Sequence, residues 1–427
     1  MIHSTLKVGC RAPRGLPAAF NAVFGLMLGA ALFAAAAPAR AADAPKGPQI
    51  SRSIAKEMIA AQKALQAGHF QDGLKDLQEA EAKSSLTPFD HKTIDDLKAY
   101  AYVKLGNMKA AEQSFEAALA TGACSAEDKA RFTRAVFQLA YNGHEYAKAI
   151  QYGKLLAGAG SDNPDIYAIV GQSYYLTKDC KNAGIWLDKA IAVSRKAGKP
   201  PQEGYYQIKL RCAFEANNVA AEISGYIDLV RLTNKPEYWN PLLRLVRQDE
   251  REDRNLLMIY RIMYNTKSMT VGSDYVEMAQ LLGDAGLPEE AASVVQTALT
   301  AGVITADQKD RVNRLLKAMH DRAATDRKGI PQFIKEAQKS PTGELDVKLG
   351  EVYFGMGDYQ SALQAINRGL KKGAVKHLGE AYVYLGLSEQ QLKDIPDAKK
   401  AFEQLKSVPD AKPRIVKLWD LYAGQLT

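Results

Sequence analysis

Few side chains in this sequence stand at spacings that could support chemistry. Six histidines are scattered over 427 residues, without an HExxH motif or the Cys/His spacing of a metal site. The sequence has no GxSxG, GxxxxGK or GxGxxG motif. The carboxylate pairs Asp95-Asp96, which lies among lysines, and Glu289-Glu290 are typical of a solvated helix surface. We therefore expect a protein that is not an enzyme and that uses no metal or cofactor.

The elements that position these side chains are helices, and residues 343–370 show their pattern. In GELDVKLGEVYFGMGDYQSALQAINRGL, apolar residues recur at helical spacing on both sides of the turn Gly357-Asp358-Tyr359. Gly350 and Ala362 stand where the two helix backbones would cross, because a larger side chain there would push the helices apart. The segment therefore predicts a pair of closely packed antiparallel helices.

Similar units recur along the chain at intervals near 34 residues. The small residues that open the second helices are Gly73, Ala111, Ala149, Ala183, Ala291, Ala362 and Ala398, whereas Glu222 and Asn255 occupy this position in a degenerate middle section. The pattern resembles the tetratricopeptide repeat (TPR). The resemblance implies an all-α, TPR-like α-solenoid, a right-handed superhelix of about ten antiparallel helix pairs. In the eighth pair we expect Pro331 to begin the second helix, and we expect a final helix over Pro413 to Leu426 to cap the stack.

The N-terminus has the composition of an export signal. Residues 1–41 combine a basic start, an apolar run and the small-residue end Ala39-Arg40-Ala41, which predicts a signal peptide cleaved after Ala41. An uncleaved membrane anchor is the alternative. We expect a flexible leader at 42–49, N-terminal repeats at 50–195, degenerate middle repeats at 196–270, and C-terminal repeats with the capping helix at 271–427. The mature protein is then expected to be soluble, periplasmic and not embedded in the membrane.

The net charge and the number of cysteines indicate which class of partner the protein binds and in which compartment it works. Four of the 56 basic residues and none of the 48 acidic residues lie in 1–41, so residues 42–427 have a formal net charge of +4. A charge this small does not indicate a nucleic-acid partner. Three cysteines remain after cleavage, and an oxidising compartment favours one disulfide and one free thiol. We expect the disulfide between Cys180 and Cys212, which fall in neighbouring stacked units; burial of all three as small apolar residues is the alternative.

In TPR folds the first helix of each pair lines a groove, and the resemblance places two sets of candidate partner-binding residues there. The first is an aromatic strip suited to an extended or helical peptide segment: Tyr100, Phe137, Tyr141 and Tyr175. Packing between repeats is the alternative for these rings. The second set is Arg244 and Arg247, which would receive an acidic partner, although nearby acidic residues also fit a solvated face of mixed charge.

The segment KPEYW at 235–239, followed by the repeat at 275–298, is similar to a group of uncharacterised periplasmic TPR proteins of proteobacteria. Some of these proteins are encoded near TonB and ExbB energy-transducing genes. The resemblance implies an exported scaffold for protein–protein interactions, accessory to an envelope or TonB-type transport complex. The alternative is a carbohydrate-binding or carbohydrate-processing helical protein whose groove aromatics stack on sugar rings.

Overall fold

A computed structural model describes residues 48–409 and 411–427. The predicted signal peptide and nearly all of the predicted leader lie outside the described residues. The described chain contains helices and no strand. In order, the helices are α1 (Ala55–Gln66), α2 (Phe70–Glu81), α3 (Pro88–Lys104), α4 (Met108–Ala120), α5 (Ala126–Asn142), α6 (Tyr146–Gly158), α7 (Pro164–Leu176), α8 (Cys180–Lys196), α9 (Glu203–Glu215), α10 (Val219–Thr233), α11 (Pro236–Arg247), α12 (Asp253–Asn265), α13 (Gly272–Asp284), α14 (Pro288–Thr300), α15 (Lys309–Lys339), α16 (Glu344–Gly355), α17 (Tyr359–Lys372), α18 (Leu378–Gln391), α19 (Ile395–Glu403) and α20 (Pro413–Gln425).

The helices follow one another as nine pairs in the described chain, with α15 and α20 outside the pairing. The prediction of an all-α fold built from TPR-like helix pairs is confirmed. Over the described ranges, none of the helices combines the length and apolar character that crossing a bilayer requires.

The turn between the two helices of a pair has a repeated local structure. In the pair α16–α17, Gly357 takes a left-handed conformation with φ of 79°, and the Asp358 side chain then accepts a hydrogen bond of 3.1 Å from the Ser361 N–H. Between α7 and α8, Lys178 takes the left-handed conformation and the Asp179 side chain accepts a hydrogen bond from the helix that follows. The left-handed residue reverses the chain and the aspartate caps the next helix, so the second helix begins at an equivalent residue in these two pairs.

Close helix crossings depend on glycine, as the sequence indicated. A Cβ atom at Gly350 would lie 2.4 Å from Cγ1 of Ile366 and 3.0 Å from the carbonyl oxygen of Ala362. A Cβ at Gly386 in α18 would likewise lie 2.6 Å from the Phe402 ring. The prediction that Gly350 and Ala362 mark the crossing is confirmed.

The chain divides into two compact units, Met1–Cys212 (unit 1) and Ala213–Thr427 (unit 2), with the boundary inside α9. In unit 1, α1 to α8 pack in sequential order, each against the next. Its core is a series of apolar clusters, one centred on Ile94, one on Phe115 and Phe132, and one on Phe137 and Val170.

In unit 2, α20 packs on α19, as a capping helix would, but also on α10 and α12. The Tyr422 ring meets the Trp239 ring edge-on at 6.5 Å between centroids. Glu250, which follows α11, accepts hydrogen bonds from Lys412 at 3.0 Å and Arg414 at 2.7 Å. The last helix therefore returns to the first pairs of its own unit.

The prediction of a helix pair in the eighth unit is wrong. Residues Lys309–Lys339 form one continuous helix of 31 residues, and Pro331 lies inside it. A single helix places Met319, Ala323 and Ala337 on one buried face, whereas a turn near Pro331 would break that face. Pro331 removes one backbone hydrogen bond from this helix without ending it.

Candidate functional site

An ion pair joins the first helices of two neighbouring pairs in unit 1. Arg131 on α5 donates two hydrogen bonds to Asp96 on α3, from Nη1 to Oδ1 at 3.0 Å and from Nη2 to Oδ2 at 2.7 Å. Asp128 also accepts from Arg131 at 3.1 Å and lies 2.7 Å from Nζ of Lys92. These contacts fix the outer surfaces of α3 and α5 side by side.

Half-buried tyrosines lie further along the same two helices. The Tyr100 ring on α3 packs edge-on against Phe70 at 6.1 Å, with Nζ of Lys104 at 5.6 Å from its centroid. Tyr141 on α5 packs against Tyr146 at 6.2 Å, and burial raises the pKa of its hydroxyl to about 12. The Tyr141 phenol is therefore neutral at physiological pH and can donate a hydrogen bond.

The structure places Phe137 in the core rather than on the groove. Its side chain is 2% exposed and packs among Ala140, Ala149 and Val170. The connection between α5 and α6 has three residues, as do those after α3 and α7, so its length does not displace the ring. Position 137 lies on the side of α5 that packs against α6 and α7. Packing between repeats, the alternative for this ring, therefore describes Phe137.

The fourth member of the predicted strip, Tyr175, is half-buried near the end of α7, with Nζ of Lys178 at 5.8 Å from its centroid. The ring contacts of Tyr100 and Tyr141 are made with Phe70 on α2 and with Tyr146 on α6, respectively. The three tyrosines thus occupy separate positions on successive first helices.

Two further residues of α5 point outward and were missed in the sequence. Arg134 is exposed and Gln138 is half-exposed, between Arg131 and Tyr141 on one helical stripe. Their spacing from Arg131 could have revealed them. We call this surface the α3–α5 face and define it by Asp96, Tyr100, Lys104, Arg131, Arg134, Gln138 and Tyr141.

The two candidate arginines of unit 2 are paired within the fold. Arg244 and Arg247 on α11 converge on Asp274 of α13, at 2.7 Å and 3.1 Å, and Asp274 is only 2% exposed at its side chain. The Arg247 guanidinium also lies over the Tyr260 ring, 4.9 Å from its centroid. The carboxylate that these arginines were expected to take from a partner is supplied by the chain itself.

A second polar network is buried in unit 2. Arg261 on α12 contacts Glu290 on α14 at 3.0 Å and also donates to the hydroxyl of Tyr384 on α18, which donates to Glu290 at 2.9 Å. Glu351 on α16, 2% exposed, pairs with Lys348 at 2.6 Å, and burial raises its pKa. Helices distant in sequence therefore meet at these polar side chains.

The paired carboxylates are less solvated than the sequence suggested. Asp96 is held by Arg131, and burial raises the pKa of neighbouring Asp95 to about 6. Glu289 accepts two hydrogen bonds from Arg327, and Glu290 belongs to the buried network. In the described chain no group of three or more His, Cys, Asp and Glu side chains could hold a metal ion.

The three cysteines of the described chain are arranged as the favoured pairing describes. A disulfide joins Cys180, the first residue of α8, to Cys212 of α9, with 5.6 Å between the Cα atoms. Cys124 is a free thiol whose pKa is raised by burial. The disulfide ties the fourth helix pair to the helix that follows it.

Comparison with known proteins agrees with the helix pairs. Two tetratricopeptide-repeat family models match the sequence, one at residues 96–120 in unit 1 and one at residues 380–411 in unit 2. No curated protein sequence matches the chain.

Several solved structures resemble parts of the chain at low sequence identity. A TPR protein from Parabacteroides merdae is 12% identical, with 79% of this chain and 99% of that one covered and a TM-score of 0.31. MamA from Desulfovibrio magneticus RS-1 is 14% identical; the match covers 47% of this chain and 99% of MamA, with a TM-score of 0.30. A chain of the Naa15/Naa10 structure bound to HypK-THB is 12% identical; the match covers 87% of this chain and 62% of that one, with a TM-score of 0.41.

The two family-model matches lie in different units, and helix pairs with the same turn and the same glycine crossing recur between them. On this evidence the chain is a tetratricopeptide-repeat protein.

Proposed function

We propose that this chain is an exported scaffold that binds a protein or peptide segment on the α3–α5 face of unit 1. TPR repeats build surfaces for protein–protein interaction and are typically non-catalytic. The observation that carries the proposal is the part-exposed Asp96–Arg131 bridge, whose side chains are 22% and 37% exposed, with tyrosines on the same helices. The face thus offers charge, hydrogen bonding and apolar ring surface together.

The corresponding side chains of unit 2 are already used within the fold. Arg244 and Arg247 share a buried aspartate, and Phe354, another first-helix residue, packs edge-on against Tyr359 and Tyr384. A partner would have to break these contacts before it could bind there. Unit 1 is therefore the better candidate for binding.

The side chains of the α3–α5 face indicate the chemistry of the partner. Arg134 is exposed, and among the described residues no side chain is paired with it. Arg131 could exchange part of its contact with Asp96 for a carboxylate of the partner, because an ion pair at a wet surface contributes little by itself. A segment with an acidic residue near an aromatic or aliphatic one would match this face.

The disulfide supports the proposal of export. Structural disulfides persist in oxidising compartments and are rare in the cytosol. Together with the export composition of residues 1–41, the Cys180–Cys212 bond favours the periplasm as the working compartment. We propose an accessory role in an envelope complex, of which a TonB-type transport complex is the specific form that the sequence resemblance implies.

The test is a crosslinking pulldown from the periplasm. Wild type is compared with a Tyr100→Ala, Tyr141→Ala, Arg131→Ala variant, and with Tyr382→Ala, which removes a half-buried tyrosine of unit 2, as the matched control. We expect a discrete protein with wild type and the control, and its loss with the triple variant.

Circular dichroism must show that the triple variant remains folded. Equal capture by all three proteins would reject the α3–α5 face, and no capture under conditions that retain other periplasmic complexes would reject the scaffold. A glycan-binding screen of the same three proteins then tests the carbohydrate alternative.

A further inference from the structure

Helix α15 concentrates the positive charge of the protein. Its 31 residues include nine Lys or Arg and four Asp or Glu, a formal net charge of +5. Because residues 42–427 together have a net charge of +4, the remainder of that range has a net charge of −1. The net positive charge of residues 42–427 is therefore no larger than the charge of this one helix.

The cations form a stripe on the outer side of α15. The buried residues Val312, Met319, Ala323 and Ala337 lie on one face, which packs on α14 and α16. At about 100° per residue, the opposite face presents a line of basic residues. We call this line the basic stripe and define it by Arg314, Lys317, Lys328, Lys335 and Lys339. It runs over about 38 Å at 1.5 Å per residue.

Most of the basic stripe is not neutralised by the protein. Lys317 pairs with Asp321 at 2.7 Å, but in the described chain no hydrogen bond or ion pair involves the side chains of Arg314, Lys328, Lys335 and Lys339. Arg322 and Arg327, also on α15, differ in this respect. Arg322 donates to the carbonyl oxygen of Gly283, and Arg327 is bound to Glu289. Four of the five residues of the basic stripe are therefore cations that the fold itself does not use.

We propose that the basic stripe docks unit 2 on an anionic phospholipid surface. A straight row of exposed cations matches a planar array of phosphate headgroups, which can move laterally to meet each charge. Four of the five residues are lysines, whose compact ammonium groups act as point charges without the fixed geometry of an arginine fork. No acidic residue lies between Lys328 and Lys335, so that part of the stripe would meet the surface without repulsion.

Binding of this kind is electrostatic and reversible. Each lysine near an anionic surface contributes about 1 kcal/mol, so neutralising three lysines should weaken partition about a hundredfold. Salt should abolish it, because the Debye length falls to about 3 Å at 1 M salt. The side chains of the basic stripe include no large apolar residue that would insert into the acyl chains.

The experiment is flotation of purified residues 42–427 with lipid vesicles. Vesicles of equal parts phosphatidylglycerol and phosphatidylcholine are compared with pure phosphatidylcholine, at low and at high salt. The test variant is Lys328→Gln, Lys335→Gln, Lys339→Gln. The control Lys129→Gln, Lys181→Gln, Lys199→Gln makes the same charge change at exposed lysines of unit 1.

We expect flotation of wild type and the control only with phosphatidylglycerol at low salt, and about a hundredfold weaker partition of the test variant. Equal loss in the test and control variants would overturn the basic stripe, since net charge alone would then explain the binding. Absence of flotation, or equal flotation with pure phosphatidylcholine, would overturn the lipid surface. Polyglutamate that binds the stripe while vesicles do not would assign it to an acidic protein instead. None of these outcomes depends on the α3–α5 face.

Discussion

Removal of the Cys180–Cys212 disulfide should destabilise the end of unit 1 by several kcal/mol. The bond closes a loop with a sequence separation of 32 residues between α8 and α9. In the chain-entropy treatment a loop of this length constrains the unfolded chain by about 12 cal/mol/K, or about 3.7 kcal/mol at 25 °C. A Cys180→Ala, Cys212→Ala variant should lose stability of this order, and because repeats unfold partly independently, the loss should be greatest near α8 and α9.

The assay is amide hydrogen exchange of the full chain, which reports local opening free energies helix by helix. Protection should fall in α8 and in α9 up to Cys212 while that of α3 and α4 changes little. Cys124→Ala, which removes the free thiol, is the control and should leave α8 and α9 unchanged. A loss below about 1 kcal/mol in α8 and α9, or an equal loss in the control, would refute the reasoning.

Three further predictions concern packing, a buried charge and pH. Gly350→Ala should destabilise unit 2 by about 1–3 kcal/mol, because the added Cβ would overlap Ile366. Gly184→Ala, whose Cβ would meet open space, should instead stabilise unit 1 by about 0.5–1 kcal/mol. Urea unfolding measures both changes, and equal effects of the two substitutions would contradict the close helix crossing at Gly350. Asp274→Ala should lower the free energy of unfolding by about 3–5 kcal/mol, because Arg244 and Arg247 would lose their buried partner. Asp249→Ala, which removes an exposed carboxylate, should change it by less than about 0.5 kcal/mol in the same assay. The folded-state pKa of Asp95, about 6, lies above its ordinary value, so the free energy of unfolding should fall as pH rises from about 4 to 6. In thermal melts Asp95→Asn should remove this pH dependence, whereas Asp72→Asn, at an exposed carboxylate, should keep it. A pH dependence that persists in Asp95→Asn but not in Asp72→Asn would contradict the assignment to Asp95.

Local features of the fold could be predicted because each depends on a few neighbouring residues. The crossing at Gly350 follows from the small residue at one fixed position, and the turn after it from Gly357-Asp358. The same logic failed at Pro331, where a proline at a plausible helix start lies inside a continuous helix. What decides that case is the burial of Ala323 and Ala337 against α14 and α16, which is a tertiary effect.

The candidate site was predicted less completely than the fold. Phe137 lies on the side of α5 that packs against α6 and α7, and the side-chain pattern alone does not show which side of the helix is buried. The pairing of Arg244 and Arg247 with Asp274 depends on the packing of α11 against α13, which is a contact between different repeats. Charge on helices can thus be read from sequence, but the partner of each charge cannot.

The return of α20 to the start of unit 2 was also beyond the sequence. The apolar residues of Pro413–Gln425 predicted a capping helix, and α20 does pack on α19. Its contacts with Trp239 and Glu250 depend on how the intervening helices curve, to which every pair contributes a small rotation. Because these rotations are spread over many residues, no single position in the sequence predicts where α20 packs.

The central claim is that the α3–α5 face binds a protein in the periplasm, and site-specific photo-crosslinking in living cells tests it most directly. A photoreactive amino acid is placed at Gln138 on the α3–α5 face or at Gln151, an exposed glutamine of α6 in the same helix pair. The account predicts a discrete crosslinked protein from Gln138 that is absent from Gln151 and is lost when Tyr100→Ala and Tyr141→Ala are added. Crosslinks from Gln151 alone, or crosslinks from Gln138 that survive the two tyrosine changes, would contradict it.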